Sequence, residues 1–275
     1  MNDTSGSFSV LMSLYYKEDP VYLDSCFASL ANQSLLPTEI VCVFDGPLNA
    51  DLENVVLKWS EKLNVNIVRL PVNVGLGNAL NKGLAHCSFD IVARMDSDDI
   101  CLPERFQKQI PLFFSDKDLI LLGSGIDEFE VCENTIKSVR KVPLSQAEIR
   151  ESCKIKNPFN HMTVVFRKNK ILSLGGYQHH FLMEDYNLWL RVIAKGYKVE
   201  NVDSSLVKAR VGNGMVGRRK GIKYIKSEWE LFMLKKKLGF QSFIPGICVF
   251  LMRSVPRLLP KTMLSMLYNI SRAKN

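Results

Sequence analysis

The stretch Asp90-Ile-Val-Ala-Arg-Met-Asp-Ser-Asp-Asp99 constrains the fold more than any other. Asp90 to Met95 reads as an apolar strand, and it runs directly into carboxylates at Asp96, Asp98 and Asp99, with Ser97 between the first two. Such a strand must cross a core and deliver its C-terminal end to the surface. Clustered acids are costly without a cation. Mg²⁺ and Mn²⁺ prefer carboxylate, water and phosphate oxygen, and often reach a protein through one or two carboxylates plus a substrate diphosphate. The alternative is an Asp-rich turn that only caps a helix after Pro103.

The rest of the first half alternates two periodicities. Phe8–Leu14, Ile40–Phe44 and Asn66–Leu70 are β-rich runs, while Val21–Gln33, Asp51–Leu63 and Leu76–His86 carry helical spacing. Pro103–Phe114 reads as a further helix with proline in its first turn. Alternating β and α units predict an α/β fold: a mostly parallel, Rossmann-like sheet flanked by helices, with ligands at the C-terminal strand ends.

Three acidic positions then fall on one rim. Glu18 or Asp19 follows the first strand, Asp45-Gly46 ends the second, and the Asp96–Asp99 cluster ends the fourth. Each alone has a turn explanation, Asp-Gly most plainly. Between them, Asn73-Val-Gly-Leu-Gly-Asn-Ala-Leu-Asn81 places Gly75 and Gly77 before a helix, where backbone can approach a phosphate or sugar. This is not the Gly-x-Gly-x-x-Gly fingerprint and it follows the third strand, which argues against a dinucleotide dehydrogenase.

At 275 residues and 47% hydrophobic, the chain can bury a large core. Its seven cysteines are scattered, with no C-x-x-C pair, as expected of reduced and mostly buried thiols in a cytosolic protein. Met1–Ser7 lacks the basic start and apolar core of a secretory signal.

Charge is divided unevenly. From Lys208 onward 15 Lys and Arg face two acids, Glu228 and Glu230, so this part carries +13 and the remainder −5. A basic tail on an acidic body suggests an anionic partner, although Lys235-Lys-Lys237 by itself reads as a solvated helix face. The longest uncharged run of the tail is broken by Pro245 and Gly246 and falls short of the roughly 20 apolar residues a spanning helix needs. Arg253, Arg257, Lys261 and Arg272 recur among apolar groups such as Met263–Tyr268, as in amphipathic segments on an anionic leaflet. The alternative is a helical subdomain packed on the core. The expected division is a catalytic domain over 1–210 and a basic, helical, membrane-surface region over 211–275.

Four motifs in order, Val41-Cys-Val-Phe-Asp-Gly46, Asn73-x-Gly75, Ala93-Arg-Met-Asp-Ser-Asp-Asp99 and Met183-Glu-Asp-Tyr-Asn-Leu-Trp189, make the chain resemble the family 2 glycosyltransferases and their GT-A fold. The resemblance covers roughly residues 8 to 210. Within the family, Asn157-Pro-Phe-Asn-His-Met-Thr163 and Arg210–Arg219 resemble bacterial O-antigen and exopolysaccharide enzymes of the amylovoran type.

The resemblance implies roles. Asp45 would accept the uracil N3–H of a UDP-sugar, with Glu18, Asn73 and Gly75 also on the donor side. Asp96 would lie near the ribose and the metal, and Asp98 would hold Mn²⁺ or Mg²⁺ against the diphosphate, with Asp99 and Asn213 open as ligands. Arg94 would contact phosphate or pair with one of those aspartates. Arg218 and Arg219 would clamp a diphosphate or form a solvated loop. Asp185 would be the catalytic base, with Glu184 orienting the acceptor, although acids in a first helical turn also stabilise the helix dipole. His161 would touch the acceptor or serve structure, and Trp189 would pack beneath the site or in the core.

The implied reaction is inverting transfer of a hexose, glucose or galactose, to a sugar on undecaprenyl diphosphate in O-antigen or exopolysaccharide synthesis, at the cytoplasmic face of the bacterial inner membrane. Two competitors are weaker. A sugar-phosphate nucleotidyltransferase would carry a Gly-rich basic loop after strand one, where this chain has Tyr15-Tyr-Lys-Glu-Asp-Pro20. A non-catalytic nucleic-acid-binding module is opposed by the acidic rim, and no nucleic-acid partner is expected.

Overall fold

In the computed structural model, which describes residues 6–212 and 220–258, the first four long strands run parallel. They are β1 (Ser9–Leu14), β2 (Glu39–Phe44), β3 (Val65–Arg69) and β4 (Ile91–Arg94), in spatial order β3-β2-β1-β4. Between them lie α1 (Pro20–Ala31), α2 (Ala50–Ser60) and α3 (Leu76–His86). The expected boundaries hold to within a few residues, and α3 matches at both ends.

The sheet alternates its side chains between two cores, as period-2 geometry requires. Leu11, Val41, Val43 and Val92 point to one face, where Ala79, Leu80 and Leu84 of α3 cover them. Val10, Met12, Ile40, Cys42 and Ala93 point to the other, against Phe27 and Leu30 of α1 and Leu52 and Val56 of α2. Both faces are therefore covered, which is why these strands read as continuous apolar runs. Side-chain caps start the helices where needed: Asp19 accepts from Val21 N at 2.8 Å, and Asn49 accepts from Leu52 N at 2.9 Å.

After β4 come the short β5 (Ile100–Cys101), α4 (Arg105–Ser115), β6 (Leu119–Phe129), β7 (Ile136–Arg140), α5 (Gln146–Ser152), β8 (Val165–Arg167), α6 (Lys168–Ser173), α7 (Glu184–Ala194) and β9 (Lys198–Arg210). β8 joins antiparallel to β4, and the sheet continues β8-β6-β9-β5, with β7 on the outer side of β6. α4 begins two residues beyond Pro103, which was expected inside its first turn. Pro103 instead spends its carbonyl on Ser34, accepting from N at 2.9 Å and Oγ at 3.0 Å.

The basic region past residue 210 is partly integral. Its helices α8 (Ile222–Lys237) and α9 (Phe243–Ser254) follow, and Tyr224, Leu231 and Phe240 lie in the same core as α7. Glu228, 2% exposed, takes a two-pronged ion pair from Arg253 at 2.7 and 2.8 Å. Lys235 corrects the expectation of a solvated lysine run. It is buried, donates to Lys154 O at 2.9 Å and lies over the Tyr186 ring, because its turn of α8 faces the core. Among the described residues no helix is long and apolar enough to cross a membrane. Of the seven free cysteines, Cys132 and Cys248 are exposed and the other five buried. Arg218, Arg219, Asn213, Lys261, Met263–Tyr268 and Arg272 lie outside the described residues.

Candidate active site

Asp45 sits where β2 leaves the sheet, 3% exposed. Its Oδ1 accepts from Val74 N at 2.7 Å and its Oδ2 from Gly75 N at 3.1 Å, while Asn73 Nδ2 donates to its backbone oxygen at 3.1 Å. The carboxylate thus folds the Asn73–Gly75 loop over the strand end. Gly46 makes that possible: its φ is +88°, and a Cβ there would come within 2.7 Å of Asn73 N. Each carboxylate oxygen retains acceptor capacity toward a ligand. Gly75 then opens α3 without a side-chain cap, so the positive end of this helix borders the same space.

The Asp96–Asp99 turn lies between β4 and β5, and the pairing of Ile100 with Lys208 of β9 fixes its far end. Arg94, 1% exposed, reaches back under the turn to pair with Asp96 Oδ1 at 2.5 Å, one of its two expected roles. Asp99 points inward, where Arg210 N donates to its Oδ1 at 2.7 Å. Arg210 Nε donates to Asp98 O at 3.2 Å, and its guanidinium covers the Tyr22 ring. Buried Arg105 adds a bond to Arg94 O at 2.8 Å. Three arginines thus back the acidic turn, and only the sequence position of Arg94 suggested such a role.

Burial, then repulsion from Asp96, pushes the Asp98 carboxyl up to about 6. Burial and the charges of Asp98 and Asp96 hold Asp99 well above the usual carboxylate range. At the open side of the turn Asp96 and Asp98 line the cavity and Asp99 does not. No group of three or more His, Cys, Asp or Glu side chains forms a ready metal cage among the described residues. Asp96 and Asp98, two carboxylates facing one cavity, fit a divalent ion completed by substrate oxygens.

A cleft of about 510 Å³ gathers the donor candidates Glu18, Asp45, Asn73, Gly75, Arg94, Asp96 and Asp98. Of the two acids after β1, Glu18 faces this cleft while Asp19 caps α1. The sequence reading missed the opposite wall, Gln178–Leu182. Leu182 is the only non-glycine with positive φ among the described residues, +57°, a strained backbone at a functional position. Ser227 of α8 secures this wall by donating from Oγ to Phe181 O at 2.6 Å.

A second cleft of about 530 Å³ adjoins the first, sharing Leu76, Asp96, Leu182 and Glu184. Asp185 and His161 line only this second space. Asn157 Nδ2 donates to Asp185 Oδ2 at 2.7 Å, fixing that carboxylate. Burial, with some repulsion from Asp185, pushes Glu184 up to about 7. His161 shares a 2.9 Å hydrogen bond with the Tyr177 hydroxyl, and burial, then Arg94, lowers its pKa and favours the neutral ring. Trp189 is fully buried beneath, edge-on to Phe159 and Tyr177, which unites its two expected placements.

The sequence model for Glycosyl transferase family 2 matches residues 9–174. The amylovoran biosynthesis glycosyltransferase AmsE of Erwinia amylovora is 48% identical over 265 residues, covering 96% of this chain and 99% of the relative. The UDP-Gal:alpha-D-GlcNAc-diphosphoundecaprenol beta-1,3-galactosyltransferase of Escherichia coli is 36% identical over 271 residues, covering 98% and 97%. The fold is similar to that of S. aureus TarS residues 1–349 in complex with UDP-GlcNAc, with a TM-score of 0.66 at 17% identity over 90% of this chain and 71% of that one. It is also similar to the mannosyltransferase PcManGT of Pyrobaculum calidifontis in complex with GDP-Man and Mn²⁺, TM-score 0.62 at 16% identity over 97% and 74%. With nearly its whole length matched at this identity, and with the GT-A fold, the chain belongs to glycosyl transferase family 2.

Proposed function

We propose that the protein is an inverting, Mn²⁺- or Mg²⁺-dependent glycosyltransferase that moves a hexose from a UDP-sugar to a sugar on undecaprenyl diphosphate, in O-antigen or exopolysaccharide synthesis. The observation that carries this reading is the meeting of two clefts at Glu184, with the acidic turn on one side and Asp185 on the other. The names of the two relatives support the class of product and acceptor. Galactose is the preferred sugar on the second of them, with glucose the alternative.

In the first cleft Asp45 receives the uracil N3–H, and Glu18, Asn73 and Gly75 shape the nucleoside pocket. Asp96 and Asp98 would hold the metal, which would supply Lewis-acid stabilisation of negative charge on a leaving diphosphate. In the second cleft Asp185, held by Asn157, takes the proton of the acceptor hydroxyl. That oxygen bonds to the anomeric carbon from the face opposite the diphosphate, the carbon–oxygen bond to the diphosphate breaks, and UDP departs. Glu184, retaining a proton near neutrality, donates a hydrogen bond to the acceptor and spares Asp185 a second negative neighbour. His161 borders the acceptor as a neutral ring.

The enzyme works peripherally on the cytoplasmic face of the inner membrane, its anionic surface being the partner of the basic region. Support comes from α9 and the 3₁₀ turn Val255–Leu258 after it, where Ile244 is 75% and Leu258 63% exposed and Met252 and Val255 are exposed too. Calorimetry of UDP against the purified protein, with Mn²⁺ and with EDTA and with GDP as control, tests the donor. Metal-dependent preference for UDP is expected; equal GDP binding, or none of either, would overturn it.

A further inference from the structure

Three of the four acids lining the second cleft, Asp96, Glu184 and Asp185, lie at or next to the junction with the first cleft. The fourth, Glu128 of β6, is 4% exposed and accepts from Ser138 Oγ at 2.5 Å. The cleft's bases come from three other segments: Arg140 and Lys141 at the end of β7, Lys156 after α5, and Arg253 with Arg257 at the end of α9 and the 3₁₀ turn Val255–Leu258 that follows it. None of these bases lines the first cleft. Arg253 is committed to Glu228, so its charge is balanced. Lys141 and Lys156 are exposed and have no ion-pair partner among the described residues. Arg257 lies over the Tyr224 ring, itself a wall of the cleft.

An acceptor sugar whose hydroxyl meets Asp185 fills the acidic end. Whatever it is attached to must leave through the basic end. Neutral glycan or protein gains nothing there, whereas a diphosphate, with two or more negative charges, meets point charges from separate walls. Next in sequence to Arg253 and Arg257, Leu251 and Met252 of α9 and Val255 and Leu258 of the 3₁₀ turn are exposed, an apolar surface for the chain a diphosphate carries.

We infer that Arg140, Lys141, Lys156 and Arg257 form the diphosphate subsite of a lipid-linked acceptor. The inference rests on the acceptor class proposed above but not on the identity of its sugar. Geranyl diphosphate, with geraniol as control, is titrated into the full chain in EDTA, alone and with UDP–Mn²⁺ bound in a metal-buffered repeat. Saturable binding of the diphosphate, absent for geraniol and additive with UDP–Mn²⁺, is expected. Lys141→Gln/Lys156→Gln should weaken it about tenfold, as expected for two partly screened charge-assisted contacts, with UDP affinity and melting temperature unchanged. Arg140→Gln, whose Nη2 also donates to Asn157 O at 3.4 Å, is the second variant. No binding in EDTA, displacement by UDP–Mn²⁺, or undiminished affinity in the double variant would each overturn the subsite. Loss only of partitioning into phosphatidylglycerol vesicles would also overturn it, assigning the bases to lipid headgroups. Failure of UDP to bind sinks the donor reading separately, since the diphosphate titration in EDTA is read without it.

Discussion

Asn157 donates from Nδ2 to Asp185 Oδ2 at 2.7 Å, joining the loop after α5 to the first turn of α7 across 28 residues. The bond restrains a side chain that lines the second cleft. If Asp185 is the base, Asp185→Asn should retain UDP–Mn²⁺ affinity while kcat falls by about 10²–10⁴. Asn157→Ala should lower kcat by up to about a hundredfold through misplacement, with donor KM unchanged. Steady-state kinetics with both substrates varied checks this; near-normal turnover in Asp185→Asn removes the assignment.

Asp98→Ala should abolish metal-dependent UDP binding, because the open side of the turn then retains only Asp96, already paired with Arg94. Calorimetry with and without Mn²⁺ reads it. Metal-independent binding equal to that of the unsubstituted protein would contradict the role.

Gly46→Ala places a methyl 2.7 Å from Asn73 N on a backbone of φ +88°. The strain is about 1–3 kcal/mol, and relief requires the Asn73–Gly75 loop to move off Asp45. UDP affinity should drop along with the melting temperature. Unchanged affinity would mean the loop does not shape the nucleoside site.

Glu184 gives a pH signature. Its folded value of about 7 lies above the ordinary 4.5, so between those values the folded state holds a proton that the unfolded chain has released. Stability therefore falls as pH rises from about 4.5 to 7, by on the order of 2–3 kcal/mol. Glu184→Gln should melt close to the unsubstituted protein near pH 4.5 and above it at pH 8. A gap that does not widen with pH would refute the burial of this carboxyl.

Deleting everything after Gly239 is a poor test of membrane association, because it strips Arg253 from Glu228 and leaves a buried carboxylate, a loss of about 3–5 kcal/mol. Ile244→Glu/Met252→Glu instead changes only exposed positions of α9. Vesicle flotation should fall while melting temperature and UDP affinity hold; unchanged flotation would remove this face from the membrane contact.

The amino-acid sequence alone determined the alternating α/β frame, since period-2 apolar runs and capped helices are local signals that read the same in any context. It also placed Asp45 and the Asp96–Asp99 turn at strand ends, and β-strand direction put both on one rim. Tertiary structure decided the rest. That Arg210 backs Asp99, that Asn157 holds Asp185, and that Lys235 is buried all depend on which distant segments come together. The Arg210 contact follows from the pairing of β9 with β5 and β6, and the burial of Lys235 from the packing of α8 in the core that holds α7, none of which local periodicity encodes. The gathering of basic side chains in the second cleft is likewise a property of packing, because they come from three segments that only the fold brings to one space.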